Sequence, residues 1–209
     1  VPALNDEQRA AADRIAEAVR HSEPVPFLLD GVTGSGKTEV YFEAVAEALR
    51  HGKQTLLLLP EIALTQPFLT RIEARFGAAP VPWHSGLKQT ERRRAWNAII
   101  GGDAKIIVGA RSALFLPYAN LGVIIVDEAH ETSFKQEDGV RYNARDVAVM
   151  RGRFEGCPVV LSSATPALES RVMAEAGRYE ALLLAHRFGG AQLPSIALID
   201  LTENPPPRG

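Results

Sequence analysis

Phe27-Leu28-Leu29-Asp30-Gly31-Val32-Thr33-Gly34-Ser35-Gly36-Lys37-Thr38 joins an apolar run to a glycine-rich turn that ends in Lys-Thr. Gly31 to Thr38 has the form G-x-x-x-x-G-K-[ST], and helical spacing begins at Thr38. A loop of this form works only between a strand and a helix N-terminus, where backbone N–H groups and the helix dipole converge on an anion. Its neighbours supply that setting. The stretch predicts strand, phosphate loop and helix from Phe27 to about Arg50, and therefore an α/β domain. Gly31, Thr33, Gly34, Ser35 and Gly36 form the cradle. Lys37 is expected to reach the β- and γ-phosphates, and the Thr38 hydroxyl to hold Mg²⁺.

The surrounding chain alternates in the same way. Leu4–Arg20 reads as a helix, with Asn5 as cap and Ala11, Ile15, Ala18 and Val19 on one stripe. Strands are expected at Gln54–Leu59, Val81–His84, Ile106–Val108, Val123–Val126, Val159–Ser162, Ala181–Leu184 and Ile196–Ile199. Helices are expected at Phe68–Phe76, Glu91–Ile100 and Arg145–Arg151, the last capped by Asn143. Another opens at Thr165-Pro166, a cap residue followed by proline. Gln54–Leu59 is largely apolar, as when both sheet faces are covered. Strands alternating with helices imply a largely parallel central sheet with ligands at the carboxyl ends of its strands. No internal repeat occurs, and only the proline-rich end is of low complexity.

The 209 residues fit one domain able to bury a core without disulfides or metals. A net charge of −2 excludes binding of polyanions by bulk electrostatics, so nucleic-acid contact must come from local patches. The single cysteine, Cys157, precedes a strand and reads as a buried packing residue. A lone thiol and the absence of Cys/His clusters point to a reducing, cytoplasmic compartment, with no zinc in this stretch. No apolar run approaches the roughly 20 residues needed to span a bilayer. The chain starts at Val1 and ends Asn204-Pro205-Pro206-Pro207-Arg208-Gly209, so it is expected to be a piece of something longer.

Asp127-Glu128 follows the apolar strand Val123–Val126. Asp127 suits the second metal-holding position of a phosphate-loop enzyme, and Glu128 can orient or deprotonate a water aimed at the γ-phosphate. Asp127-Glu128-Ala129-His130 and Ser162-Ser163-Ala164-Thr165 together are the signature pair of superfamily 2 helicases and translocases. The resemblance narrows further. Leu29–Tyr41 resembles the first motif of the bacterial replication-restart helicases, the PriA family (primosomal protein N′). Pro60-Glu61-Ile62-Ala63-Leu64-Thr65 resembles that family's motif Ia, and Arg111-Ser112-Ala113-Leu114-Phe115-Leu116-Pro117 its motif Ib. Phe134–Tyr142 with Ala144-Arg145-Asp146 resembles its aromatic-rich loop, and Ser163–Ser170 its motif III.

The resemblance implies a RecA-like, ATP-binding first helicase lobe over residues 1–188. Residues 189–209 would be a final strand and the start of a linker to a second lobe. It implies that Gln8 contacts adenine and that motifs Ia and Ib touch one DNA strand, with Arg111 the most direct contact. Phe134, Lys135 and Tyr142 would sense DNA and relay this to Glu128 and His130, with aromatic and basic groups side by side as base stacking requires. Ser163 and Thr165 would couple nucleotide state to domain movement. Implied partners are forked or single-stranded DNA, single-stranded-DNA-binding protein and other primosome proteins, met by a monomer and without a membrane.

Two departures stand out: Ala129 where the family has Glu, and Ala110 where it has Thr. The family's N-terminal DNA-binding domain, its second lobe with an arginine finger and its zinc module have no counterpart in the sequence. Lys88, Arg92, Arg93 and Arg94 read as a solvated helix face. Competing classes are a P-loop GTPase or small-molecule kinase, and a non-catalytic interaction module. No Asn-Lys-x-Asp guanine-reading element occurs, and a kinase would leave the Ser-Ala-Thr segment unexplained.

Overall fold

Successive residues of the central strands point to opposite faces of one sheet, and both faces are apolar. Leu57 and Leu59 pack on one side, Leu56 and Leu58 on the other; Val123 and Ile125 oppose Ile124 and Val126 in the same way. Such strands must be sandwiched between helices. The computed structural model describes residues 3–188 and shows this sandwich.

The sheet contains β1 (Pro26–Gly31), β2 (Gln54–Leu58), β3 (Val81–Trp83), β4 (Ile106–Gly109), β5 (Leu121–Val126), β8 (Val159–Ser163) and β9 (Glu180–Leu184). Between β5 and β8 lies a small antiparallel pair, β6 (Lys135–Gln136) and β7 (Tyr142–Asn143). The seven main strands run in the order β3-β4-β2-β5-β8-β1-β9, and every pairing is parallel. One face is covered by α1 (Asp6–His21), α2 (Lys37–Arg50) and α3 (Gln66–Phe76). The other is covered by α4 (Gln89–Ile100) and α5 (Ala144–Glu155), with Ala174 of α6 (Leu168–Glu175) packed against the same core.

Local signals explain most boundaries. Asn5 caps α1 by accepting from the Gln8 N–H at 2.8 Å, while Gln8 Oε1 accepts from the Asn5 N–H at 2.9 Å, a reciprocal box. Asn143 caps α5 through the Arg145 N–H. Cys157 is fully buried, and burial pushes its thiol up to about 12, so it packs rather than reacts. No helix among the described residues is long and apolar enough to cross a membrane.

Two expectations are corrected. The helix predicted to open at Thr165-Pro166 begins at Leu168 with Ala167 as its cap. The Thr165 N–H instead donates to Ser163 Oγ at 3.1 Å, holding the segment in a turn above the sheet. Phe134–Tyr142, read as a loop, contains the β6–β7 pair. The strand expected at Ile196–Ile199 and the linker beyond 188 lie outside the described residues.

The strand order divides the carboxyl edge into two halves. β1, β8 and β5 are adjacent, so the phosphate loop, Ser162-Ser163 and Asp127-Glu128 converge. β2, β4 and β3 form the other half, ending at Pro60-Glu61, Ala110-Arg111 and His84-Ser85.

Candidate active site

The phosphate loop closes on itself. Gly34 and Gly36 have φ of 80° and 83°, a left-handed conformation that glycine adopts at little cost. A Cβ on Gly36 would also collide with the Gln8 amide. Lys37 Nζ donates to Gly31 O at 2.6 Å and to Val32 O at 3.4 Å, so the ammonium lies across the cradle. Burial lowers the Lys37 pKa, against the opposing pull of the Glu128, Asp127 and Asp30 carboxylates. Ser35 Oγ is buried with no hydrogen-bond partner among the described residues. A buried hydroxyl left unpaired costs about 1–3 kcal/mol, which a phosphate oxygen would relieve.

Gln8 is buried, and its Nε2 donates to Ser35 O at 2.7 Å. With Oε1 engaged by Asn5, the side chain ties α1 to the phosphate loop and leaves one N–H to offer.

Asp127 is held from both sides. Tyr41 Oη donates to Oδ2 at 2.9 Å and Ser162 Oγ to Oδ1 at 2.8 Å. Thr38 lies beside the same phenol, so one buried side chain adjoins both expected metal-holding residues. Burial raises the Tyr41 pKa well above the usual phenol range, which keeps it a donor. Glu128 has φ of 47°, an uncommon conformation for a residue with a side chain. Burial and the charge of Asp127 raise its pKa; Lys37 and His130 act against them. His130 Nδ1 lies 2.9 Å from Ser163 Oγ and 3.5 Å from Glu128 Oε2. Glu128, His130, Ser163 and Thr165 thus form one polar chain across the ends of β5 and β8.

These groups border a cavity of about 700 Å³ lined by Gln8, Thr33, Gly34, Gly36, Lys37, Thr38, Asp127, Glu128, His130 and Thr165. Leu4, Arg71 and Phe188 also line it and were not singled out in the sequence. Phe188, 47% exposed, is placed by its own N–H, which donates to Gly34 O at 2.9 Å. Arg71 reaches the cavity from α3 and pairs with Glu39 at 2.6 Å. The donor set fits ATP with Mg²⁺: an open glycine cradle, a buried ammonium, an unpaired hydroxyl and a hydroxyl–carboxylate pair.

The profile of the DEAD/DEAH box helicase family matches residues 5–173. The chain belongs to the DEAD/DEAH box helicase family. Among its relatives, replication restart protein PriA of Bacillus subtilis (strain 168) is 47% identical over 200 residues, 96% of this chain and 25% of that protein. The protein of the same name from Rickettsia prowazekii (strain Madrid E) is 41% identical over 208 residues, 100% of this chain and 31% of that protein. The resemblance to that family therefore holds along the chain, which spans between a quarter and a third of these relatives' length. In fold the chain resembles a hypothetical ATP-dependent RNA helicase from Sulfolobus tokodaii, with a TM-score of 0.61 and 18% identity over 88% of this chain and 53% of that one. It also resembles the DUF1998 helicase MrfA bound to DNA and AMPPNP, with a TM-score of 0.58 and 19% identity over 90% of this chain and 30% of that one.

The second half of the carboxyl edge in this helicase lobe differs from the sequence expectation. Phe134 is 1% exposed and sits in the core beneath β5, so it cannot stack on a base. Its apolar contacts outweigh any exposed role. Arg111 donates to Lys135 O, which fastens the β6–β7 pair to the segment after β4. Lys135 is exposed. Tyr142 is half-buried and meets Phe115 edge-on, with centroids 5.3 Å apart. Phe115, 57% exposed, is the accessible aromatic here, and it stood unnoticed within motif Ib. Lys88, Arg92, Arg93 and Arg94 are all exposed, as expected of a solvated helix face.

Proposed function

We propose that this chain is the ATP-binding motor lobe of a replication-restart DNA helicase. The full protein would use ATP hydrolysis to translocate on DNA, unwind it at stalled forks and load a primosome, with single-stranded-DNA-binding protein among its partners. The observation that carries the reading is the convergence of the phosphate loop, Asp127-Glu128 and Thr165 around one cavity, in a chain so similar to the PriA proteins.

In this reading the backbone of Gly34–Thr38 and Lys37 grip the β- and γ-phosphates, and Ser35 Oγ gains its missing partner. Phe188 and Leu4 offer apolar surface to adenine, and the remaining Gln8 N–H reads its edge. A Mg²⁺ between Thr38 and Asp127 would neutralise charge on the phosphates. Glu128 orients the attacking water and takes its proton, and its raised pKa brings it closer to that task. Among the described residues, Lys37 is the only lysine and Arg71 the only arginine lining the cavity, and Arg71 is already paired with Glu39. Phosphoryl transfer can owe roughly 10³- to 10⁵-fold of its rate to an arginine finger. The 209-residue chain should therefore bind ATP but turn it over slowly.

Thermal melting with ATP·Mg²⁺ and with GTP·Mg²⁺ tests the reading. ATP should protect the fold better; stronger protection by GTP would overturn it. A DNA-stimulated turnover of about 1 s⁻¹ or more, an ordinary enzyme rate, would overturn the slow-hydrolysis part alone.

A further inference from the structure

The edge of the sheet carries a feature that neither the nucleotide site nor the helicase motifs use. Trp83 ends β3, and Trp96 lies two turns into α4. Their ring centroids are 6.4 Å apart and their planes tilted by 46°. These are the only two tryptophans of the chain. Trp83 is 8% exposed and forms the floor, whereas Trp96 is 42% exposed and forms a wall. Arg92 lies over the Trp83 ring, with Cζ 5.6 Å from its centroid, and donates to Ser85 O at 3.3 Å. Trp83, Gln89, Thr90, Arg92, Arg93 and Trp96 enclose an open groove of about 570 Å³.

The groove's charge is of one sign. No carboxylate lines it, and neither Arg92 nor Arg93 forms an ion pair among the described residues. The nearest acid in sequence, Glu91, is turned back to accept the Lys88 N–H at 2.9 Å. Arg94 lines a separate depression with Val81 and Ala98. Two guanidinium groups without a carboxylate partner among the described residues, beside an exposed indole, form a combination suited to a polyanion with aromatic bases. The indole offers a stacking face, and the guanidiniums meet phosphates.

Position points the same way. Ala110 N–H donates to Trp83 O at 3.1 Å, and Ser85 Oγ to Glu61 Oε1 at 3.3 Å. The groove therefore adjoins the carboxyl ends of β2 and β4, where Arg111 and Phe115 lie.

We propose that the Trp83–Trp96–Arg92–Arg93 groove is a docking site for single-stranded DNA, with one base stacked on Trp96 and adjacent phosphates held by Arg92 and Arg93. The site extends the DNA path of the proposed motor lobe and rests on that reading. It is chosen over an acidic peptide because the exposed indole offers a flat face as well as charge.

The test is direct, because both tryptophans of the 209-residue chain lie in this groove, so selectively excited tryptophan emission reports on it. Oligo(dT) is titrated at low salt, following tryptophan emission and, separately, the anisotropy of a labelled oligonucleotide. Both signals should change over the same concentration range. Trp96→Ala, at an exposed position that should not unfold the chain, is expected to weaken binding about tenfold. Trp96→Phe should restore most of that loss. Arg93→Ala should lower the salt slope of log K by about one. An anisotropy change with unaltered tryptophan emission would overturn the groove site and leave the motor-lobe reading standing. Equal affinity of Trp96→Ala and the unsubstituted chain would do the same. An emission change driven by polyglutamate but not by oligo(dT) would overturn the choice of DNA. No response of either signal to DNA, even at low salt, would take the DNA-binding half of the motor-lobe reading with it.

Discussion

Ser163 Oγ stands between two partners, His130 Nδ1 at 2.9 Å and the Thr165 N–H at 3.1 Å. His130, two residues after Glu128, is thus wired to the turn after β8. Ser163→Ala removes one buried hydroxyl and strands two polar groups, and should cost about 1–3 kcal/mol in urea unfolding. In the full-length protein it should spare basal ATPase while reducing its stimulation by DNA. Retained stimulation would show that the coupling runs elsewhere.

Tyr41 gives its hydroxyl proton to Asp127 and lies beside Thr38. Tyr41→Phe keeps the buried ring and removes that tie. ATP binding in EDTA should be unchanged, while the Mg²⁺ concentration needed for tight ATP binding should rise severalfold. Calorimetry with and without Mg²⁺ separates this from general destabilisation, which would weaken both.

Glu128 provides a pH signature. Its folded pKa is raised, mainly by burial and then by Asp127. A raised carboxylate contributes stability below the unfolded value and loses it as pH rises through the folded one. Glu128→Gln escapes that loss, so its melting temperature should gain on the unsubstituted chain as pH climbs from about 4 towards neutrality. A parallel pair of curves would contradict the raised pKa. The same substitution should hold ATP without releasing phosphate, in single-turnover assays of the full-length protein.

Lys37→Ala removes the ammonium that bridges Gly31 and Val32 carbonyls and faces the cavity. ATPase of the full-length protein should vanish while fork binding stays largely intact, because Lys37 belongs to the nucleotide half of the sheet edge. An equal loss of fork affinity would argue against separate halves.

Phe188→Ala takes away an exposed ring that lines the cavity beside Leu4 and Gln8. ATP affinity should fall by about tenfold, the scale of one lost base–aromatic stack, while inorganic triphosphate binding should not change. Comparable losses for both ligands would place Phe188 outside base recognition.

The readings that held were local ones. Gly31–Thr38 specifies its own turn, because glycines at the left-handed positions and a helix start directly after them leave the backbone little choice. Asp127-Glu128 was legible because an apolar strand must end where its residues turn polar. The readings that failed depended on what lies above or below a segment. Phe134 looked like a stacking residue beside Lys135, yet its neighbours in space are core side chains. Thr165-Pro166 looked like a helix start, yet Ser163 takes the Thr165 N–H first.

The sequence by itself determined the parallel α/β fold, the phosphate cradle and the acidic pair, since each is written within a few consecutive residues obeying backbone sterics and hydrophobic period. Only the tertiary structure decided which distant groups meet: Gln8 on Ser35, Tyr41 on Asp127, Phe188 at the cavity mouth, and Trp83 beside Trp96. Strand order in the sheet brings those pairs together, and it follows from packing both faces of the sheet at once rather than from the spacing of residues along the chain.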